Sequence, residues 1–191
     1  GNQAPLTVVG VGASAGGLAA FEQDIAARNP SNEWGQGWDK DGNPITAQVE
    51  GTPGGIIVFG SRSEMDRGLG GTISHFHPDD EGFILNSLSD GDVVMALRTD
   101  LATMRAFNSK GAWMQLSITE TNMIQRGKMA NAFAVRFKHE RMVARRNRDT
   151  LLLLARPWQE QRAAWFEDYT TAMIAAGDAT PGLTLTFGGP P

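Results

Sequence analysis

Cysteine is absent from the 191 residues. That excludes a disulfide framework, a thiolate nucleophile and a thiolate ligand, so any metal on this chain must be held by histidine and carboxylate. Lysine and arginine are missing before Arg28, which leaves the apolar run Leu6 to Val11 without the basic flank of a secretory signal. No stretch approaches the ~18 consecutive apolar residues of a membrane span. A cytoplasmic location with no membrane partner is the expectation, and the missing cysteine is compatible with a reducing compartment. Tyrosine occurs once and histidine three times. The net charge of -4 is mild but unevenly spread, because eight of the 17 basic residues fall between Arg126 and Arg148, where Glu140 is the lone acid. Solvated helix faces are often arginine-rich, and nucleic-acid binding through the helix 126–148 is the sharper alternative reading of that charge.

Two of the three histidines, His75 and His77, stand one residue apart in I-S-H-F-H-P. On a strand, residues i and i+2 share a face, so the two imidazoles project together and Phe76 turns away. Asp92 offers a harder third ligand. Ser89 precedes it by three residues, which at a helix start puts hydroxyl and carboxylate on one side. Two imidazole nitrogens, one carboxylate oxygen and one position left for water describe a catalytic Zn2+ site. D-D-E-G and S-D-G-D are also ordinary turn and N-cap sequences, and a surface turn is the plain alternative.

The run S-H-F-H-P followed by S-L-S-D-G-D resembles the JAB/JAMM (MPN-type) metallopeptidases, whose signature is H-x-H, a spacer, then S-x-x-D. It is most similar to the bacterial and phage forms of minor head proteins and polymorphic toxins. The resemblance implies zinc on His75, His77 and Asp92, a catalytic glutamate on an early strand, which Glu33 matches, and Ser89 as donor to the developing oxyanion. It also implies an amide or isopeptide hydrolase, with a peptide or a ubiquitin-like protein as substrate. Glu22, Glu50 and Glu64 are the rivals to Glu33. A non-catalytic structural or binding protein retaining the fold, such as a virion component, is the alternative function.

Leu6 to Gly12 reads as a strand or buried helix start, and Leu18 to Arg28 has helical spacing of apolar residues. The opening V-V-G-V-G-A-S-A-G-G is similar to the chemotaxis receptor methylesterases, in which the residue matching Ser14 is the nucleophile; no triad partner follows it in matching context. Glu33 to Asp39 and Ile45 to Glu50 flank the turn Asp41-Gly42-Asn43-Pro44 and read as a hairpin. The glycine-bounded run Ile56 to Phe59 reads as a buried strand, and Thr72 to His77 as the ligand strand. A helix from Ser89 and a strand-turn-strand over Met104 to Met114 follow.

Past Ser117 the pattern becomes helical. Ser117 and Glu120 form a capping-box signature, Met129, Phe133 and Phe137 recur every four residues toward Leu154, and a second helix begins at Pro157. Its stripe Trp158, Arg162, Trp165, Phe166, Tyr169 and Met173 reads as packing, Gly177 as its end, and Gly182 to Phe187 as an edge strand. The expected fold is α+β, or α/β, with a mixed sheet flanked by helices and a C-terminal helical pair. The division expected is a JAB-like metal-binding core over 1–116 and a helical extension over 117–191.

Overall fold

The computed structural model describes residues 15–80, 83–84, 88–148 and 154–189. In chain order the elements are α1 (Ala15–Arg28), β1 (Trp34–Trp38), β2 (Val49–Glu50), α2 (Arg62–Arg67), β3 (Thr72–Phe76), β4 (Asp79–Asp80), β5 (Phe83–Ile84), α3 (Asp90–Arg98), β6 (Thr103–Phe107), β7 (Trp113–Ile118), α4 (Met123–Asn147), α5 (Trp158–Asp178) and β8 (Leu183–Gly188). Six strands form one sheet in the order β2-β1-β3-β6-β7-β8, and β4 pairs with β5 as a separate ribbon. β3 and β6 run parallel, and the other neighbours are antiparallel. The fold is α+β with a mixed sheet. The strand reading of Leu6 to Gly12 and the methylesterase-like Ser14 lie outside the described residues.

Alternation along the strands divides the molecule into two cores. Trp38, Phe76 and Phe107 face α1 and pack with its Leu18, Phe21 and Ile25, which recur at helical spacing and give that helix its buried stripe. α1 stops at Asn29, whose φ of 42° is left-handed, ahead of Pro30. On the opposite face Ile73, Met104, Ala106, Met114 and Leu116 meet Val93 and Leu97 of α3, Phe133 and Phe137 of α4, and Tyr169 and Met173 of α5. Phe137 meets Tyr169 edge-on while Arg141, one turn later, lies over Trp165, one turn earlier, so α4 and α5 pack as an antiparallel pair.

Three expectations are corrected. Ile56 to Phe59 is not a strand, because β1 pairs with β2 and β3 and leaves no edge for it. The run instead crosses the sheet on its side chains: a Cβ at Gly35 would meet Val58 at 2.7 Å, one at Gly37 would meet Phe59 at 2.2 Å, and Ile57 is left 75% exposed. Ser117 belongs to β7, and the cap of α4 is Asn122, whose side chain accepts from the Ile124 and Gln125 N–H groups. Gly177 does not end α5 but lies buried inside it, where a Cβ would meet Leu185 at 2.6 Å. α4 ends at Asn147 with Arg148 extended, and the rest of the expected run toward Leu154, residues 149–153, lies outside the described residues. None of the described helices is long and apolar enough to cross a membrane.

Candidate metal centre

The site is built on the α3 side of β3. His75 pairs in register with Gly35 of β1 and Ala106 of β6, and these two small residues leave room above the sheet for an imidazole between them. His77 lies one residue past the strand, and its N–H donates to the Phe107 carbonyl at 2.8 Å, which extends the parallel ladder and keeps its ring on the His75 side. The two rings meet at 62° with their Nε2 atoms 3.0 Å apart, and both are buried. Phe76 turns to the other face, as its alternation requires.

Glu33 enters from the residue before β1. Its main chain is fixed in both directions, by donation to the Thr52 carbonyl at 3.0 Å and acceptance from the Gly51 N–H at 2.8 Å. Donor atoms of Glu33, His75 and His77 all lie within 4.8 Å of one another. The rival glutamates are committed elsewhere. Glu22 is buried on the α1 face against Arg105 and Ser74, Glu50 accepts from Asn32, and Glu64 closes the cap of α2.

Ser89 and Asp92 arrive on the first turn of α3. Ser89 is its N-cap, and the capping box is closed by Asp92, whose Oδ2 accepts from the Ser89 N–H at 2.7 Å and hydroxyl at 2.8 Å. The same oxygen is 3.6 Å from His75 Nε2. The helix start therefore serves both as a cap and as a carboxylate presented to the imidazole pair. A carboxylate in that turn also suits the positive end of the helix dipole.

Electrostatics separate these groups. Burial pushes the Glu33 carboxyl above its ordinary value, with the His75 charge opposing and the Asp92 charge adding to the rise. Burial also disfavours the Asp92 anion, but the His75 charge and the hydrogen bonds from His75 and Ser89 outweigh it and hold that carboxyl well below the usual range. For His75 the burial that favours the neutral ring is overcome by Asp92, by Glu33 and by a hydrogen bond to the Arg105 main chain, and its pKa is raised. Burial first, and then repulsion from His75, pushes His77 down to about 3.

Glu33, His75 and His77 form a group that could hold a metal ion. His75 presents Nε2 to the cluster and also hydrogen-bonds the Arg105 main chain, the kind of second contact that orients a ligating imidazole. Nε2 of His77 faces the same cluster, and its Nδ1 is buried without a hydrogen-bond partner among the described residues. Imidazole nitrogens with the harder oxygens of carboxylates are a ligand type that divalent transition-metal ions take when no thiolate is present.

Beside the cluster lies a cavity of about 480 Å³ whose lining includes Glu33, His77, Ser89 and Asp92 together with Ile56, Leu88, Trp165, Phe166 and Tyr169. The aromatic stripe of α5, expected to be packing alone, is thus divided: Met173 is in the core, while Trp165, Phe166 and Tyr169 also wall the site. Tyr169, the single tyrosine, accepts from the Asp90 N–H at 2.7 Å and donates to Asp90 Oδ1 at 2.8 Å, tying α5 to the first turn of α3. Its rarity is the one signal in the sequence that could have singled it out. Comparison of the chain with protein-family models, with curated proteins and with solved structures returns no match.

Proposed function

We propose that the chain is a zinc-dependent hydrolase of amide or isopeptide bonds of the JAB/JAMM type, with His75, His77 and Asp92 as ligands and Glu33 as the proton carrier. The observation that carries this reading is the convergence of two imidazoles and two carboxylates from three separate places in the chain beside one cavity. A bound divalent ion supplies Lewis-acid polarisation of the substrate carbonyl and acidifies the attacking water. Glu33 takes the proton of that water as the new C–O bond forms, then delivers it to the amide nitrogen as the C–N bond breaks, releasing acid and amine. The Ser89 hydroxyl lines the cavity and turns from Asp92 to the oxygen that gains charge in the transition state.

The test separates ligand from base. Elemental analysis and zinc titration of the native protein are expected to give about one equivalent of zinc, as a single site requires. Asp92→Ala removes a ligand, so zinc affinity and hydrolysis fall together. Glu33→Gln keeps the metal and loses about a hundredfold or more in turnover. Loss of zinc in Glu33→Gln with retention in Asp92→Ala would reassign the ligand set to Glu33, His75 and His77. Bound zinc with no hydrolysis of any amide, peptide or ubiquitin-like substrate would leave a structural metal on a binding protein.

A further inference from the structure

A ribbon of two glycines, the end of a ubiquitin-like tail, needs only a narrow slot beside the reacting groups. This cavity is of another kind. Its volume of about 480 Å³ falls within the ~300–1,000 Å³ of sites that enclose a whole small molecule. Leu88, Ile56, Trp165, Phe166 and Tyr169 give the same cavity an apolar share of its lining beside Glu33, His77 and Asp92. Trp165 is 40% exposed although its neighbours on the same face of α5, Tyr169 and Met173, are buried. Its ring is held rather than loose, 4.9 Å from Phe166 edge-on and 5.6 Å from Tyr169, with the Arg141 guanidinium 5.5 Å from its centre. A half-exposed indole held by neighbouring rings in the lining of a cavity is a surface suited to an apolar group. On the rim, Gly54 and Gly55 present main chain, and a Cβ added at either would meet nothing within 4 Å, so a peptide backbone can lie close there.

Resting on the hydrolase reading above, we infer that the substrate is a peptide bearing a bulky apolar side chain, aromatic by preference, beside the hydrolysed amide, with Trp165 as the specificity-determining residue. The apolar side chain fills the space under Trp165, Phe166 and Leu88, and its flanking amide is thereby set against Glu33, His77 and Asp92. A glycine tail leaves that space unfilled and its amide unanchored.

Binding separates this from the hydrolase reading, because the wall belongs to the protein whether or not metal is present. The probes are N-acetyl-phenylalaninamide and N-acetyl-glycinamide, titrated calorimetrically into wild type, Trp165→Ala and Trp165→Phe, with zinc titration of the same samples reporting on the donor set. The phenylalanine probe is expected to bind about tenfold or more tightly than the glycine probe. Trp165→Ala should lose most of that preference and Trp165→Phe should keep most of it, both with unchanged zinc affinity. Helical circular dichroism equal to wild type shows that the exposed position was changed without unfolding α5. Equal affinities for the two probes, no binding of either, or a preference that survives Trp165→Ala would each overturn the inference. Failure to bind zinc with the probe preference intact would instead remove the hydrolase chemistry and leave the apolar site standing.

Discussion

Burial pushes His77 down to about 3 while the carboxylates around His75 raise the neighbouring ring above its ordinary value, so the two act on stability in different pH windows. In the metal-free protein His77 binds its proton in the unfolded chain at about 6.5 and in the folded chain only near 3. Between those values the unfolded state holds the extra proton, and stability therefore rises with pH by about 1.4 kcal/mol per unit. His75 has the opposite sign: its contribution is whole below 6.5 and is lost as pH rises through the raised folded value. Urea unfolding of metal-free wild type and His77→Gln should give a stability difference that changes at about that slope from roughly pH 4.5 to 6.5 and is flat above. A difference independent of pH would mean that the ring is not buried neutral. The histidine pair was readable from the sequence because a strand has period two and Phe76 between them is apolar. Glu33 was readable only through a family resemblance, since nothing local to E-W-G-Q-G distinguishes it from Glu22, Glu50 or Glu64; their commitments to Arg105, Asn32 and Ser61 are long-range or turn contacts.

The parallel pair β3 and β6, joined through α3, brings the carboxyl end of a strand and the amino end of a helix to the same edge, which is where open sheets bind ligands. The two end caps of α3 hold it there. At the start Ser89 and Asp92 close the box; at the end Arg126 of α4 donates to the carbonyls of Ala96, Leu97 and Leu101 at 2.8, 3.1 and 2.5 Å and to the Asp100 carboxylate at 2.9 Å. The first of the basic residues in 126–148 is therefore buried, and Arg148 at the other limit is bound to Glu167 and Asp168. Tyr169 adds the third tie. Tyr169→Phe keeps the ring against Phe137 and removes both hydrogen bonds to Asp90, so a loss of about 1–2 kcal/mol in stability is expected. Zinc affinity should fall severalfold with it, because the turn that carries Asp92 is released; unchanged affinity would show that α5 only covers the site. The Ser89 cap was legible because its residues are three apart. The strand reading of Ile56 to Phe59 failed because an apolar run signals burial and not pairing, and the glycines of β1 that receive it lie more than twenty residues earlier.

Across the whole molecule the sheet joins what the composition suggested dividing. The boundary between 116 and 117 falls inside β7, β8 pairs along the length of that strand, and the larger core mixes residues of α3 and β6 with those of α4 and α5. A chain ending at Leu116 strips one wall from that core and should lose its cooperative urea transition, retaining at most a collapsed state, as checked by circular dichroism and tryptophan fluorescence together. A sharp two-probe transition would show that the first 116 residues fold alone. Every residue of β3 is buried, with Thr72, Ser74 and Phe76 committed to one face and Ile73 and His75 to the other. Sliding this strand by a single residue against β1 and β6 would drive an imidazole into the aromatic cluster under α1 and turn a phenyl ring toward the carboxylates of Glu33 and Asp92. Such a slip would be penalised on both faces at once, so the pressure that aligns the hydrogen-bond ladder also keeps the two imidazoles turned toward Glu33 and Asp92.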